Sequence, residues 1–341
     1  MDTADSQPEG DLAAVLDGYG IEPVNVSFIA VGRYNTHWRV TSAGGEYALR
    51  RYNRARLAAS IPHEHAMLAH VAARGWPVAE PLRSRDGATA VERDGRYYAL
   101  FPFLRGEPGP AHNVAHFRIK GRLLARLHRD MGTFGAAEQR PGFGRVWELD
   151  LALQTSPFAT FNAMLREFGR EQAGLASAIR TQRYRSLREL ARLGYGELAD
   201  TQLHGDFQRD NLLFDRGELT AVLDFDSTHR DARVVDIAWS IISDCGEPPA
   251  ETAIDARFAA ALVGGYAEDT PLSDAELRLV VPLIRAHNVA ICAWGVRRYL
   301  EAGDATVLPR LERRIGVRLP QLEARAAAIE DAITAAAHRP A

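Results

Sequence analysis

Apolar and polar residues alternate in short runs along the first hundred residues, a pattern that predicts a small sheet. Turn-forming glycine and asparagine separate these runs, and Asp94-Gly95 is a typical hairpin turn. One stretch with helical spacing precedes the strands and another follows the third of them. The predicted elements are a helix at 11–19, strands at 24–29, 37–40 and 46–52, and a helix at 62–74.

The spacing of apolar residues becomes helical in the rest of the chain. A helix is predicted at 112–131, two helices between 150 and 194, and an alanine-rich last helix at 319–337. Elements of this kind, with strands first and helices later, are typical of α+β proteins. The predicted fold class is therefore α+β, with a small antiparallel sheet followed by a larger, mostly helical part.

The stretch from 202 to 236 predicts a β-hairpin, because two apolar runs at 211–214 and 219–223 flank an Asp-Arg-Gly-Glu turn. Side chains with oxygen atoms stand before the first strand and after the second: Asp206, Asn211, Asp224 and Asp226. The hairpin is expected to bring them to one end of a small sheet. Carboxylate and amide oxygens are hard ligands that suit Mg²⁺ together with bound phosphate.

The spacing within this stretch resembles that of kinases. His204-Gly205-Asp206 is followed by four residues and Asn211, which is the kinase pattern His-Arg-Asp-x4-Asn with glycine in place of arginine. Asp224-Phe225-Asp226 stands where kinases have Asp-Phe-Gly. The segment resembles the aminoglycoside phosphotransferase family, a kinase-like group that includes homoserine kinases and choline kinases. A hairpin with acidic turns is the alternative, but it does not explain both spacings.

This resemblance extends from about residue 28 to residue 239 and implies a bilobal, protein-kinase-like fold. The expected N-terminal nucleotide-binding lobe is 1–100, the hinge is 101–106, and the C-terminal catalytic and substrate-binding lobe is 107–341. Proline and glycine mark the hinge, where Phe101 and Phe103 are expected to cover an adenine.

The resemblance also implies roles for the acidic residues. Asp206 is expected to accept or orient the proton of the acceptor hydroxyl, and Asn211 and Asp224 are expected to hold Mg²⁺ that bridges the β- and γ-phosphates of ATP. Asp226 is expected to complete a second metal site or to contact the substrate.

Two further residues are expected to support the catalytic loop. His204 begins the loop and is expected to brace it. The segment at 231–239 resembles the Asp-x-Ala segment of the family, in which Asp236 accepts hydrogen bonds that fix the loop.

The connection between the first two strands stands where kinases place a glycine-rich loop over the phosphates. It includes Gly32, Asn35 and Thr36. Taken alone, a single glycine is more typical of a plain hairpin turn than of a phosphate-binding loop, but the Asn-Thr pair matches homoserine-kinase-like members of the family.

The strand at 47–50 aligns with the kinase strand Val-Ala-Ile-Lys. Because side chains alternate along a strand, Ala48 and Arg50 share one face, which gives room for adenine and a charge for phosphates. Arg50 stands in place of the usual lysine, and Glu64 in the next helix is expected to pair with it. Alternatively, Arg50 is a solvated arginine at the end of a strand, and Glu64 is an acidic residue that interacts favourably with the dipole of its own helix.

Composition excludes several other classes of protein. The 341 residues are 46% hydrophobic and 25% charged with a net charge of −3, so a nucleic-acid partner is not expected. Two cysteines give neither a disulfide framework nor a zinc site. Arg278, Arg285 and His287 interrupt the apolar stretch at 277–296, which argues against a membrane span, and the acidic N-terminus resembles no signal peptide. A cytoplasmic enzyme is expected.

The predicted function is ATP- and Mg²⁺-dependent transfer of the γ-phosphate to a hydroxyl group of a small molecule. The segment at 151–200 contains five acidic residues and seven arginines, which does not favour a polycationic aminoglycoside. Together with Asn35-Thr36, this favours a homoserine-like or other amino alcohol acceptor. The alternatives are a protein Ser/Thr kinase and a non-catalytic nucleotide-binding pseudokinase, and the sequence does not indicate an oligomeric state.

Overall fold

The computed structural model describes residues 9–29, 35–135, 139–248 and 252–339. Its contacts divide the chain into two compact units, the first formed by 1–107 with 213–226 and the second by 108–212 with 227–341. The strands are β1 Pro23–Ile29, β2 Thr36–Ser42, β3 Gly45–Arg51, β4 Val91–Arg93, β5 Arg96–Pro102, β6 Glu107–Pro108, β7 Asp200–Leu203, β8 Leu212–Asp215, β9 Glu218–Val222 and β10 His229–Ala232.

The helices alternate with these strands and dominate the last hundred residues. They are α1 Glu9–Gly18, α2 Ile61–Ala72, α3 Val114–Met131, α4 Phe161–Phe168, α5 Ala173–Arg192, α6 Val234–Asp244, α7 Ala256–Asp269, α8 Asp274–Leu277, α9 Val280–Ala302, α10 Leu308–Arg313 and α11 Leu319–Ala337.

The first unit is built on a five-stranded antiparallel sheet in the order β1-β2-β3-β5-β4. Alternation along the strands buries one face of this sheet under α1, and Trp38, Val40 and Leu49 pack there against Val15 and Leu16. Ala48 and Arg50, on either side of Leu49, therefore point to the opposite face of the sheet. The burial of this core fixes the register of β3, because a slip of one residue would exchange its two faces.

The predicted hairpin is present as β8 and β9, joined by a turn in which Arg216 and Gly217 have φ values of 48° and 87°. With β6 it forms a three-stranded sheet in the order β6-β8-β9. The Val222 N–H donates to the Pro77 carbonyl at 2.8 Å, and the Thr220 hydroxyl donates to the Arg105 carbonyl at 2.9 Å. These bonds tie the hairpin to the rest of the first unit. The lobe boundaries expected from the sequence stay a prediction.

The second unit is helical around one two-stranded ribbon. Strands β7 and β10 pair antiparallel, with Leu203 opposite His229 and Asp200 opposite Ala232. Helices α3 and α7 cross closely at two glycines: a Cβ at Gly121 would lie 2.0 Å from the Leu262 carbonyl oxygen, and a Cβ at Gly265 would lie 2.0 Å from the Arg118 carbonyl oxygen. Buried side chains of α4, α5 and α9 form a further core, which includes Phe161, Phe168 and Val296.

Among the described residues, one stretch is long and apolar enough by composition to cross a membrane. It covers Asp274–Ala302, and its most apolar window has a mean hydropathy of 1.5. Within the fold, 78% of that window is buried, which is typical of a core helix.

Candidate active site

The predicted catalytic loop follows β7 in the second unit. The Asp206 carboxylate accepts hydrogen bonds from three side chains: the Trp239 indole Nε1 at 2.8 Å, the Gln208 Nε2 at 3.0 Å and the Asn211 Nδ2 at 3.0 Å. The indole donates to Oδ1, whereas the two amides donate to Oδ2. Hydrogen bonds to a carboxylate are among the stronger ones in proteins, so this side chain has a fixed orientation.

Asn211 closes the loop on itself. Its Nδ2 also donates to the Asp206 backbone carbonyl at 2.8 Å. Both bonds of the Asn211 side chain to Asp206 use the amide nitrogen, so they leave the amide oxygen, the atom that binds a metal, out of the contact.

Asp236 anchors the beginning of the same loop. Its fully buried carboxylate accepts the His204 N–H at 2.8 Å and the Gly205 N–H at 2.9 Å, and His128 Nε2 lies 3.0 Å away. Burial by itself raises the pKa of Asp236, but the hydrogen bond and charge of His128 lower it below its usual value. A charged carboxylate is therefore kept beneath the loop.

Glycine at position 205 is explained by the backbone. Gly205 has a φ of 79°, and a Cβ there would lie 2.2 Å from the Ser227 carbonyl oxygen. Both the left-handed conformation and the close approach exclude a side chain. This is the position at which kinases have arginine, so the departure from that pattern has a local structural cause.

Arg50 is the central cation of the first unit. It donates from NH1 to Glu64 Oε1 at 2.7 Å, from Nε to His37 Nε2 at 3.0 Å and from NH2 to Asp224 Oδ1 at 3.3 Å. Its guanidinium carbon also lies 5.2 Å from the centre of the Phe101 ring. Burial by itself lowers the pKa of Arg50, but the carboxylates of Glu64 and Asp224 raise it well above its usual value. The side chain is therefore a permanent positive charge.

Asp224 adopts a backbone conformation that is unusual for a residue with a side chain. Its φ is 63°, in the left-handed region that aspartate tolerates better than most residues. Such conformations cost on the order of 1–3 kcal/mol and cluster at functional sites. The ion pair with Arg50, at 3.3 Å, helps to hold the carboxylate in this position.

Asp226 lies in a separate contact with the start of β2. Its Oδ2 accepts hydrogen bonds from Asn35 Nδ2 at 2.7 Å and from Arg56 NH2 at 2.9 Å. Asn35 in turn accepts the Asn53 N–H on its Oδ1 at 3.1 Å. Asn35 thus connects the start of β2 with Asp226, which follows the hairpin of β8 and β9.

The other residues of the predicted nucleotide face occupy different positions. Thr36 accepts a hydrogen bond from Arg51 NH2 at 3.3 Å. Ala48 pairs with Phe101 across β3 and β5, and Phe103 lies 4.6 Å from the guanidinium of Arg39. Gly32 lies outside the described residues.

Each unit supplies oxygen donors of the kind that a divalent cation needs: the carboxylates of Asp224 and Asp226 in the first unit and the amide oxygen of Asn211 in the second. In the part of the chain that the structure describes, no three His, Cys, Asp or Glu side chains form a metal cluster. The Mg²⁺ prediction therefore depends on the sequence pattern and on the chemistry of these donors.

Trp239 and Gln208 contact Asp206, although the sequence pattern did not single them out. Trp239 follows Asp236 by three residues on α6, so both side chains lie on the helix face that meets the catalytic loop. This spacing was the available signal. Gln208 had none, because its contact depends on the turn of the loop.

Trp239→Phe is expected to lower kcat roughly 10-fold with little change in fold, because the ring is kept while one hydrogen bond to a charged carboxylate is lost. Steady-state kinetics with saturating ATP would measure this. Trp147→Phe is a matched control, since Trp147 packs on Tyr195 with ring centres 4.7 Å apart and neither residue belongs to the catalytic loop. Equal kcat values for the two variants would show that the indole donor has no part in catalysis.

Comparison with known proteins places this geometry in context. The model of the phosphotransferase enzyme family matches residues 25–277. A homoserine kinase of Caulobacter vibrioides (strain NA1000 / CB15N) is 30% identical over 277 residues, which cover 81% of this chain and 82% of that protein. A homoserine kinase of Bradyrhizobium sp. (strain ORS 278) is 29% identical over 276 residues, covering 81% and 80%.

Solved structures show the same fold at lower identity. The amicoumacin kinase hAmiN, in complex with AMP-PNP, Ca²⁺ and Ami, superimposes with a TM-score of 0.69 at 17% identity and covers 96% of this chain and 94% of its own. A microcompartment-associated aminopropanol kinase gives 0.67 at 18% identity, covering 94% and 98%. The predicted kinase-like α+β fold is confirmed.

Proposed function

Since the chain belongs to the phosphotransferase enzyme family, we propose that it uses ATP and Mg²⁺ to phosphorylate the hydroxyl group of a small amino alcohol related to homoserine. The single observation that supports this most strongly is the intact loop pattern of Asp206 and Asn211 in a chain similar to homoserine kinases over four fifths of its length. A pseudokinase has no need to keep a carboxylate oriented by three donors.

Asp206 is assigned to the acceptor hydroxyl. Phosphoryl transfer needs a group that orients the attacking oxygen and takes its proton as the new bond to phosphorus forms. The donors around Asp206 hold its carboxylate in one orientation before the substrate binds, which reduces the entropy lost in the reaction.

Asn211 and Asp224 are assigned as ligands of Mg²⁺, and Asp226 to a second metal or to the substrate. When bound, the metal neutralises charge on the phosphates of ATP. The protein contributes the oxygen atoms that bind the metal. Asp224 does so while one of its oxygens is paired with Arg50, and Asn211 does so while its amide nitrogen is bound to Asp206.

Arg50 is assigned to the phosphates of ATP, with Glu64 keeping it in register. Arginine is larger and more planar than the lysine of the kinase pattern, but it binds phosphate oxygens well. The contacts with Glu64 and His37 leave the guanidinium in a fixed plane, so it supplies an oriented positive charge.

Two kinds of similarity support the proposed acceptor class. The curated relatives are homoserine kinases, and one structural neighbour is an aminopropanol kinase. Their named substrates share an alcohol group and an amino group. An acceptor of this kind is proposed here as well, and the cytoplasm, where ATP is abundant, is proposed as the location.

A panel of acceptors tests this proposal directly. The purified protein would be incubated with ATP, Mg²⁺ and homoserine, 1-amino-2-propanol, choline, an aminoglycoside or a serine-containing peptide, and ADP release and the phosphorylated product would be measured. Transfer to homoserine or aminopropanol alone is the expected result. Transfer only to the peptide would favour a protein kinase, and no transfer to any acceptor would favour a pseudokinase.

Thermal unfolding is expected to show that nucleotide and metal bind together. ATP with Mg²⁺ at about 100 times its dissociation constant stabilises the native state by about 2.7 kcal/mol, which raises the midpoint by several degrees. ATP alone and Mg²⁺ alone are expected to raise it far less, because the acidic side chains repel uncompensated phosphates. Equal shifts with and without Mg²⁺ would contradict the assignment of Asn211 and Asp224.

A further inference from the structure

The chain has one lysine, and that lysine is buried. Of 41 basic residues only Lys120 is not an arginine. It lies in α3, its side chain is 1% exposed, and it forms an ion pair with Asp244 at the end of α6. The partner carboxylate is itself 10% exposed. A buried charge pair costs desolvation free energy, so it calls for an explanation other than surface solubility.

This pair contacts the catalytic loop on both sides of Gln208. Asp244 Oδ2 accepts the backbone N–H of Arg209 at 2.8 Å. Lys120 Nζ lies 5.7 Å from the centre of the buried Phe207 ring, and the Ser240 hydroxyl, one turn earlier on α6, donates to the Phe207 carbonyl at 2.5 Å. The backbone immediately after Asp206 is therefore held by two side chains of α6, and Lys120 of α3 lies over the Phe207 ring.

Lysine suits this place better than the arginine that the chain uses elsewhere. An ammonium group is compact and has three donors, whereas a guanidinium is larger and has five donors to satisfy. At a side chain that is 1% exposed, the smaller cation leaves fewer buried polar atoms without partners.

We infer that the Lys120–Asp244 pair positions the catalytic loop for phosphoryl transfer. Lys120 balances the charge of the buried Asp244 carboxylate, the Asp244 oxygen accepts the backbone N–H of Arg209, and this hydrogen bond holds the loop so that Asp206 keeps its catalytic orientation. Neither residue touches a reactant. The inference rests on the proposed function of Asp206, and the competing explanation is that the pair stabilises the fold and nothing else.

Two double variants separate these explanations. Lys120→Met/Asp244→Asn and Lys120→Met/Asp244→Ala both remove the two buried charges, and only the first keeps an oxygen that can accept the Arg209 N–H. We expect the asparagine variant to keep kcat within about 3-fold of the wild type and the alanine variant to lose roughly 10- to 100-fold, with the KM for ATP unchanged in both. Kinetics would be measured well below the unfolding midpoint of each variant, because a purely stabilising role leaves kcat of the folded protein unchanged.

Arg285→Met is the control for loss of a buried cation. Arg285 is 3% exposed and pairs with Glu323 at 2.7 Å on α11. This variant is expected to unfold at a lower temperature and to keep its kcat. A folded Lys120→Met/Asp244→Ala variant with wild-type kcat would overturn the inference.

Hydrogen exchange at the Arg209 amide gives a reading that does not depend on activity. The amide is expected to be protected in the wild type and in the asparagine variant, and to exchange at least about 10-fold faster in the alanine variant. Equal protection in both double variants overturns the inference even if no acceptor is ever found. Loss of transfer in every preparation, with the expected exchange pattern, instead rejects the proposed function and leaves the loop contact established.

Discussion

Asp206→Asn is expected to bind ATP and Mg²⁺ as the wild type does and to transfer phosphate roughly 100- to 10,000-fold more slowly. The amide has nearly the shape of the carboxylate and can still accept the Trp239 indole N–H on its oxygen. It cannot take the proton of the acceptor hydroxyl, so the loss should appear in kcat rather than in nucleotide binding. Thermal unfolding with ATP and Mg²⁺ gives the binding measurement, and product formation gives the rate.

Asp210→Asn is the matched control for this variant. Asp210 lies in the same loop and loses the same charge on substitution, but its side chain is 67% exposed and pairs with Arg209 on the surface. It is expected to keep wild-type kinetics. If Asp206→Asn retained transfer within about 10-fold of Asp210→Asn, the assignment of Asp206 to the acceptor proton would be wrong.

Spacing along the chain was sufficient to predict the loop and the family, because the chemistry of phosphoryl transfer fixes residue types at fixed separations. The predicted resemblance to aminoglycoside phosphotransferases is confirmed by the family model. Periodicity also located the long elements, and the last helix has the predicted bounds of Leu319–Ala337. These features depend on residues that are close together in the sequence, so a single sequence is enough to predict them.

Contacts that join distant parts of the chain were harder to predict. The ribbon of β7 and β10 consists of two four-residue strands, too short for an alternating pattern to stand out. The donation from Trp239 to Asp206 spans 33 residues, and the Lys120–Asp244 pair spans 124. Such pairs form only when helices pack, so the sequence indicated that Lys120 was unusual without indicating its partner.

Arg50 makes one contact that the sequence predicted and one that it did not. The resemblance to kinases implied that Glu64 would pair with Arg50, and the two side chains lie 2.7 Å apart. The contact with the Phe101 ring was not indicated, since the sequence placed Phe101 in a hinge. Its position under the guanidinium follows from the register of β3 and β5, in which Arg50 lies opposite Ala99 and Ala48 opposite Phe101.

Arg50→Met is expected to lower the free energy of unfolding by about 3–5 kcal/mol and to abolish stabilisation by ATP with Mg²⁺. Glu64 has no exposed side-chain area, so the substitution leaves a buried carboxylate without its countercharge. It also releases Asp224 from the ion pair that helps to hold its left-handed backbone. Chemical denaturation would give the stability, and thermal unfolding with ligands would give the binding.

The double variant Arg50→Met/Glu64→Gln separates the two losses. Replacing the buried Glu64 carboxylate by an amide should restore most of the stability, because a neutral amide costs far less to bury than a charge. Stabilisation by ATP with Mg²⁺ should not return, since the phosphates still lack their cation. Arg50→Lys keeps a positive charge and is expected to bind nucleotide, with a smaller loss of stability because an ammonium cannot make the planar set of contacts to His37, Glu64 and Asp224. If the double variant bound nucleotide as the wild type does, Arg50 would be a structural partner of Glu64 and not the phosphate-binding cation of this enzyme.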